Sequence, residues 1–158
     1  MKRLPGVFQA RKKNGDIYFR SSVTFRGKHI SLGSFATQEE AHRTYTIAAN
    51  LLKSEIRFLP DDYRPCELPF SKWVVLNNFK NNGLYIKTPI YLQANYFEYY
   101  LSREDVLLFD ADDLFYYSHH SIMRRGVIFL WQIMECRSIS HPVMGSKTLP
   151  WRTGIIVL

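Results

Sequence analysis

Two adjacent histidines follow a short run of carboxylates, and these are the best candidates in the sequence for metal binding or acid–base chemistry. The carboxylates are Asp110, Asp112 and Asp113, and the histidines are His119 and His120. Neighbouring residues on a helix point about 100° apart, so two adjacent imidazoles rarely bind one ion. Asp110 is also a typical N-cap residue, and Asp113 suits the first turn of a helix. The pattern therefore favours a capped helix over a metal site.

The other residues with reactive side chains are too scattered to indicate a known site. Cys66 and Cys136 lack the paired spacing of a zinc site and suit a reducing compartment. The segment Gly145–Thr148 resembles half of a phosphate loop but lacks the upstream glycine. We therefore expect no catalytic residue, no metal and no cofactor, and a protein that is not an enzyme.

The charge of the chain is divided unevenly along its length. The net charge is +7, and residues 1–57 hold 11 Lys/Arg against 4 Asp/Glu, whereas residues 58–118 hold 5 against 9. A basic surface of this kind attracts nucleic-acid phosphates. We predict a basic N-terminal face that binds nucleic acid or a partner, formed by Arg11, Lys12, Lys13, Arg20, Arg26, Lys28 and His29.

The N-terminal third of the chain predicts three strands followed by one helix. Asn14 and Gly15 form a hairpin signal between extended runs, and Thr37 with Glu40 predicts a capping box at the start of the helix. Alternation along the strands separates two faces. The residues expected to face the helix are Val7, Phe19, Ser21, Val23, Ile30 and Leu32. The residues expected to face outward are Phe8, Ala10, Arg20, Ser22, Thr24, His29 and Ser31.

This order of elements, and the junction from Ile30 through Phe35 into Thr37, resemble the APETALA2-like DNA-binding domain of plant transcription factors, phage integrases and homing endonucleases. The resemblance covers residues 6–52, and it implies that the outward face of the sheet lies in the major groove and reads bases. Among the matched outward positions only Arg20 is a strong ligand for a base or a phosphate. The resemblance therefore indicates ancestry and fold more than sequence-specific recognition of DNA.

Residues 58–72 are rich in proline and predict a connection to a second small α+β unit over residues 73–158. In that unit, residues 96–126 resemble the front part of phage-borne HNH-type endonucleases, in which a catalytic metal-binding unit follows. The sequence after Gly126 does not follow that pattern, so we hypothesise that residues 127–158 derive from a frameshift. Within them, Ile128–Trp131 and Gly154–Leu158 predict buried strands.

Aromatic side chains crowd the second unit and have many acidic neighbours. Most such rings form a core, but exposed tyrosines and phenylalanines mark interfaces. We predict a second partner-binding surface, suited to a basic protein, that contains Tyr99, Tyr100, Asp112, Asp113 and Tyr116.

Taken together, the two resemblances imply a protein of phage origin in which the scaffold is kept while the base-reading and nuclease features are reduced. Proteins of this size and ancestry look like anti-CRISPR inhibitors. The leading hypothesis is therefore a non-catalytic protein that binds and inhibits a host nuclease, the type II RNA-guided DNA nuclease. The alternatives are a DNA-binding regulator that uses the sheet, and a remnant HNH-type endonuclease. The sequence has no apolar run that could span a membrane and no signal peptide. We therefore expect a cytoplasmic protein of the bacterial host cell without a small-molecule substrate.

Overall fold

The structure, a computed structural model, describes residues 4–125 and 128–132 and has an α+β fold. One-turn 3-10 helices lie at Pro60–Asp62 and Ala111–Asp113. The other elements, in chain order, are β1 (Val7–Arg11), β2 (Ile17–Phe25), β3 (Lys28–Phe35), α1 (Gln38–Lys53), α2 (Phe70–Asn82), β4 (Ile90–Leu92), β5 (Tyr96–Tyr100), β6 (Val106–Asp110), α3 (Leu114–His119), β7 (Ser121–Arg125) and β8 (Ile128–Gln132). The predicted class, a three-stranded antiparallel sheet on one helix followed by a second small α+β unit, is confirmed.

Local signals account for the first sheet and its helix. The strands are antiparallel in the order β1-β2-β3, and the turn around Asn14 is closed by the amide of Lys12, which donates to the carbonyl of Asp16 over 2.8 Å. At the start of α1, the hydroxyl of Thr37 accepts from the amide of Glu40 over 3.2 Å, and the Glu40 carboxylate accepts from the amide of Thr37 over 3.4 Å. The predicted hairpin and capping box are both confirmed.

The first hydrophobic core lies between this sheet, α1 and α2. The strands contribute Val23, Ile30 and Leu32, all of which are buried as alternation predicts. The same cluster contains Leu68 and Trp73, which follow the 3-10 helix. The core therefore extends past residue 57, through the predicted connection and into α2.

The second sheet, β4-β5-β6, has one face on a core of its own and the other partly covered by α2. Phe97 and Tyr99 of β5 pack in the second core. On the opposite face, Tyr91 and Tyr100 are buried against Val74 of α2. Helix α2 thus packs against both sheets.

The final described element is the hairpin of β7 and β8, which are antiparallel. The predicted strand over Ile128–Trp131 is confirmed as β8. The second predicted strand, Gly154–Leu158, and most of the hypothesised frameshift-derived tail lie outside the described residues. Within the described part of the chain, no helix combines the length and the apolar character needed to cross a bilayer.

Candidate functional site

The outward face of the first sheet has Arg20 at its centre. Cross-strand register places Arg20 between Phe8 on β1 and Ser34 on β3. Lys12 lies in the turn at one end of the sheet, and Lys28 begins β3 at the other end. Alternation assigns no carboxylate to this face. The strands of this face can therefore attract phosphate, and the nearby carboxylate is that of Asp16, in the same turn as Lys12.

Most of the predicted basic residues are exposed, but they do not form one continuous patch. Lys13 extends from the same turn as Lys12, whereas Arg11 shares the alternation of Val7 and so does not lie on the outward face. The ring of His29 lies 3.5 Å from the hydroxyl of Thr24, its cross-strand neighbour. Among the described residues, none of these basic side chains forms a salt bridge with a carboxylate.

One expectation about the outward face of the first sheet is wrong. Ser22, expected on the exposed base-reading surface, is buried, because a β-bulge lies beside it and its amide pairs with the carbonyl of Gly6. Arg26, one of the predicted basic residues, is exposed and also contacts neighbouring groups of the fold. Its guanidinium lies 3.5 Å from the carbonyl of Phe79 and 5.1 Å from the centre of the Phe25 ring. Arg26 therefore connects the turn between β2 and β3 to the end of α2.

A second exposed surface surrounds α3. We call Asp112, Asp113, Phe115 and Tyr116 the acidic-aromatic ridge. The side chain of Asp110 caps the 3-10 helix before α3 by accepting from the amide of Asp112 over 3.1 Å. Phe115 is 82% exposed and Tyr116 is 45% exposed, and both carboxylates are exposed. The ridge thus places the exposed Phe115 ring near the carboxylates of Asp112 and Asp113.

Packing of the opposite side of α3 explains why these rings point outward. Leu114 and Tyr117 contact the second core, and the Tyr117 ring stacks on Phe109 with centroids 4.0 Å apart. Residues three apart share one side of a helix, so Phe115 and Tyr116 take the other side. The sequence-based list of partner-binding residues missed Phe115, although the spacing of Leu114 and Tyr117 carries this signal.

The expectation that Tyr99 and Tyr100 are exposed is wrong, because both are buried in the second unit. The hydroxyl of Tyr99 accepts from the amide of Ile122 over 3.0 Å, and the hydroxyl of Tyr100 donates to the Glu98 carboxylate over 2.7 Å. Burial, and then the bond to Glu98, raise the pKa of the Tyr100 phenol. Tyr99 thus joins β5 to the start of β7, and both tyrosines are packed inside the protein and not on its surface.

The rings of the two histidines, at the C-terminal end of α3, lie close to backbone carbonyls of the same helix. The Nδ1 atom of His119 lies 3.0 Å from the carbonyl oxygen of Phe115, and that of His120 lies 2.5 Å from the carbonyl oxygen of Tyr116. The His120 ring also stacks on Tyr116, with centroids 4.3 Å apart. Over residues 4–125 and 128–132, no three His, Cys, Asp or Glu side chains are grouped so as to hold a metal ion.

Comparisons of this chain with family models, with curated proteins and with solved structures find no match. Its function is therefore best inferred from two exposed surfaces of opposite charge, the basic face of the first sheet and the acidic-aromatic ridge.

Proposed function

We propose that this protein is a non-catalytic phage or prophage protein that binds and inhibits a nuclease of the bacterial host. The leading candidate for the partner is the type II RNA-guided DNA nuclease, as for the anti-CRISPR proteins that the sequence resembles. The observation that carries the proposal is the acidic-aromatic ridge. Exposed aromatic rings beside charge of one sign are typical of protein-binding surfaces.

The ridge offers both binding energy and charge complementarity. Complete burial of a phenylalanine side chain contributes about 1.5–3 kcal/mol, and Phe115 is 82% exposed in the free chain. Asp112 and Asp113 carry negative charge next to this ring. A nuclease that holds nucleic acid has a basic groove, and opposite charge accelerates association with such a surface.

Inhibition would follow from occupancy of a surface that the nuclease needs. Carboxylates on the ridge would replace the phosphates that the groove normally binds, and the bulk of the second unit would exclude DNA. Clamping of the nuclease domain is the other mode that this surface permits. We place the interaction in the bacterial cytoplasm, where the exposed thiol of Cys66 stays reduced.

Co-elution of the full chain with the purified, guide-loaded type II nuclease tests the proposal. We expect a complex with the wild-type chain and a much weaker one when Phe115→Ser and Tyr116→Ser are combined. Ile56→Ser is the matched control, because Ile56 is also exposed but lies in the N-terminal half of the chain. A complex that survives the double substitution unchanged, or no complex with wild type, would contradict the proposal.

The second candidate function is DNA binding by the first sheet, and the observation that favours it is the carboxylate-free face around Arg20. A duplex-binding gel at several salt concentrations tests this candidate. Tight, salt-sensitive duplex binding without any protein partner would replace the leading proposal with a DNA-binding regulator. Metal-dependent cleavage of DNA by the purified chain would instead support the remnant endonuclease.

A further inference from the structure

One face of the second sheet is partly exposed at its β6 side. Cross-strand register places Tyr91, Glu98 and Leu108 side by side across β4, β5 and β6. At the β4 side this face is covered, because Tyr91 and Tyr100 pack against Val74 of α2. At the β6 side no element among the described residues pairs with the strand, which is an edge of its sheet.

The exposed half combines apolar side chains with two carboxylates, Glu98 and Asp110, of which Asp110 lies opposite Tyr96 and caps the 3-10 helix before α3. Tyr96 is 42% exposed, Val106 is 38% exposed and Leu108 is 41% exposed. Register and alternation put all three on the same face as Glu98. We call Tyr96, Glu98, Val106 and Leu108 the β6 patch. It lies on the opposite face of the sheet from α3, so it is separate from the acidic-aromatic ridge.

Neutral donors hold the Glu98 side chain in place. Its carboxylate accepts from the Tyr100 hydroxyl over 2.7 Å and from the side-chain amide of Gln93 over 3.2 Å. No Lys or Arg side chain that the structure describes forms a salt bridge with it.

We propose that the β6 patch is a docking surface for an arginine side chain, with its apolar neighbours, on a basic partner protein. The planar guanidinium fits a carboxylate through two parallel hydrogen bonds. Its methylene stem would pack on Leu108, and its plane can stack on the Tyr96 ring. Residues 58–118 carry 9 Asp/Glu against 5 Lys/Arg. This charge repels nucleic acid and favours a basic protein.

This inference rests on the proposed function only for the identity of the partner, because a nuclease with a basic groove would supply the arginine. The proposed contact between an arginine side chain and the β6 patch does not depend on that identity. A short synthetic peptide that contains arginine can therefore probe the patch without the nuclease, and the same peptide with citrulline in place of arginine is the neutral control.

The experiment is a titration of the isotope-labelled full chain with each peptide, followed by amide chemical shifts. We expect saturable shifts around Glu98 and Leu108 with the arginine peptide and none with the citrulline peptide. Glu98→Gln should weaken binding by about tenfold, since a hydrogen bond to a charged group is lost. Glu55→Gln is the control, because it makes the same charge change at an exposed residue that has no salt bridge among the described residues. It should leave the affinity for the arginine peptide unchanged.

A second variant tests the inference independently in case Glu98→Gln does not fold. Val106→Thr combined with Leu108→Thr keeps residues that suit a strand and removes apolar surface, so it should also weaken peptide binding. Shifts centred on Asp112 and Asp113, an unchanged affinity in Glu98→Gln, or no shifts at millimolar peptide would overturn the inference. If the peptide binds the patch and the nuclease does not bind the chain, the proposed function fails while this inference stands.

Discussion

Helix α2 contains two adjacent buried asparagines whose hydrogen bonding differs sharply. The side chain of Asn78 accepts from the amide of Leu92 over 2.9 Å and donates to the carbonyl of Leu84 over 2.9 Å. The side chain of Asn77 donates to the carbonyl of Trp73 over 3.1 Å, but its buried Oδ1 has no partner among the described residues. Replacement of each asparagine by leucine should therefore give opposite results.

The expected difference can be estimated from these contacts. Asn78→Leu removes these two bonds and a third, which Asn78 Oδ1 accepts from the side-chain amide of Asn82 over 2.9 Å. It leaves the Leu92 amide unpaired, and an unpaired buried donor costs about 1–3 kcal/mol. With the other lost bonds included, we expect a loss of about 3 kcal/mol in the free energy of unfolding, or about 6–12 °C in Tm. Asn77→Leu removes an unpaired buried oxygen, and it should change stability by no more than about 1 kcal/mol, in the stabilising direction.

Urea denaturation of both variants and the wild type, followed by circular dichroism, measures the two values. Near-equal destabilisation of the two variants would refute the reasoning. So would a greater loss in Asn77→Leu. Either result would mean that Asn78 does not join α2 to β4 as the structure describes.

Three further predictions test other parts of the fold and the basic face. Thr37→Ala should lower the free energy of unfolding by about 1 kcal/mol through loss of the α1 cap. Thr46→Ala removes an exposed hydroxyl in the middle of α1 and should not lower the free energy of unfolding by this amount. Equal losses for the two variants in urea denaturation would contradict the role of Thr37 as a cap. Because the pKa of Tyr100 is raised, the unfolded chain releases this proton above about pH 10 while the folded chain keeps it, so stability should fall there. The loss of stability above this pH should be smaller in Tyr100→Phe than in the wild type. Equal losses in alkaline denaturation would argue against a raised Tyr100 pKa. If the outward face binds duplex DNA, Arg20→Ala should reduce the salt slope of binding by about 1. Arg43→Ala should leave that slope unchanged, because Arg43 is paired with Glu67.

The first sheet and α1 could be predicted from the sequence because their signals are local. The turn at Asn14 and Gly15 and the cap at Thr37 depend on residues within a few positions of one another. Alternation then assigned Ile30 and Leu32 to the core, where they lie. Ser22 was misplaced because a β-bulge depends on the register between two strands, which composition does not reveal.

The second unit was harder to predict because its contacts are long-range. Burial of Tyr100 depends on α2, which begins 30 residues earlier at Phe70. The contact of Arg26 with the Phe79 carbonyl spans 53 residues. No local pattern encodes either contact. The exposure of Phe115, by contrast, follows from the spacing of its helical neighbours and could have been found.

The central claim is that the chain inhibits a nuclease through the acidic-aromatic ridge. The most direct measurement is DNA cleavage by the purified, guide-loaded type II nuclease in the presence of increasing amounts of the full chain. We predict that wild-type chain abolishes cleavage and that the variant with both Phe115→Ser and Tyr116→Ser restores it, while Ile56→Ser inhibits like wild type. Undiminished cleavage at a large molar excess of wild-type chain would contradict the account.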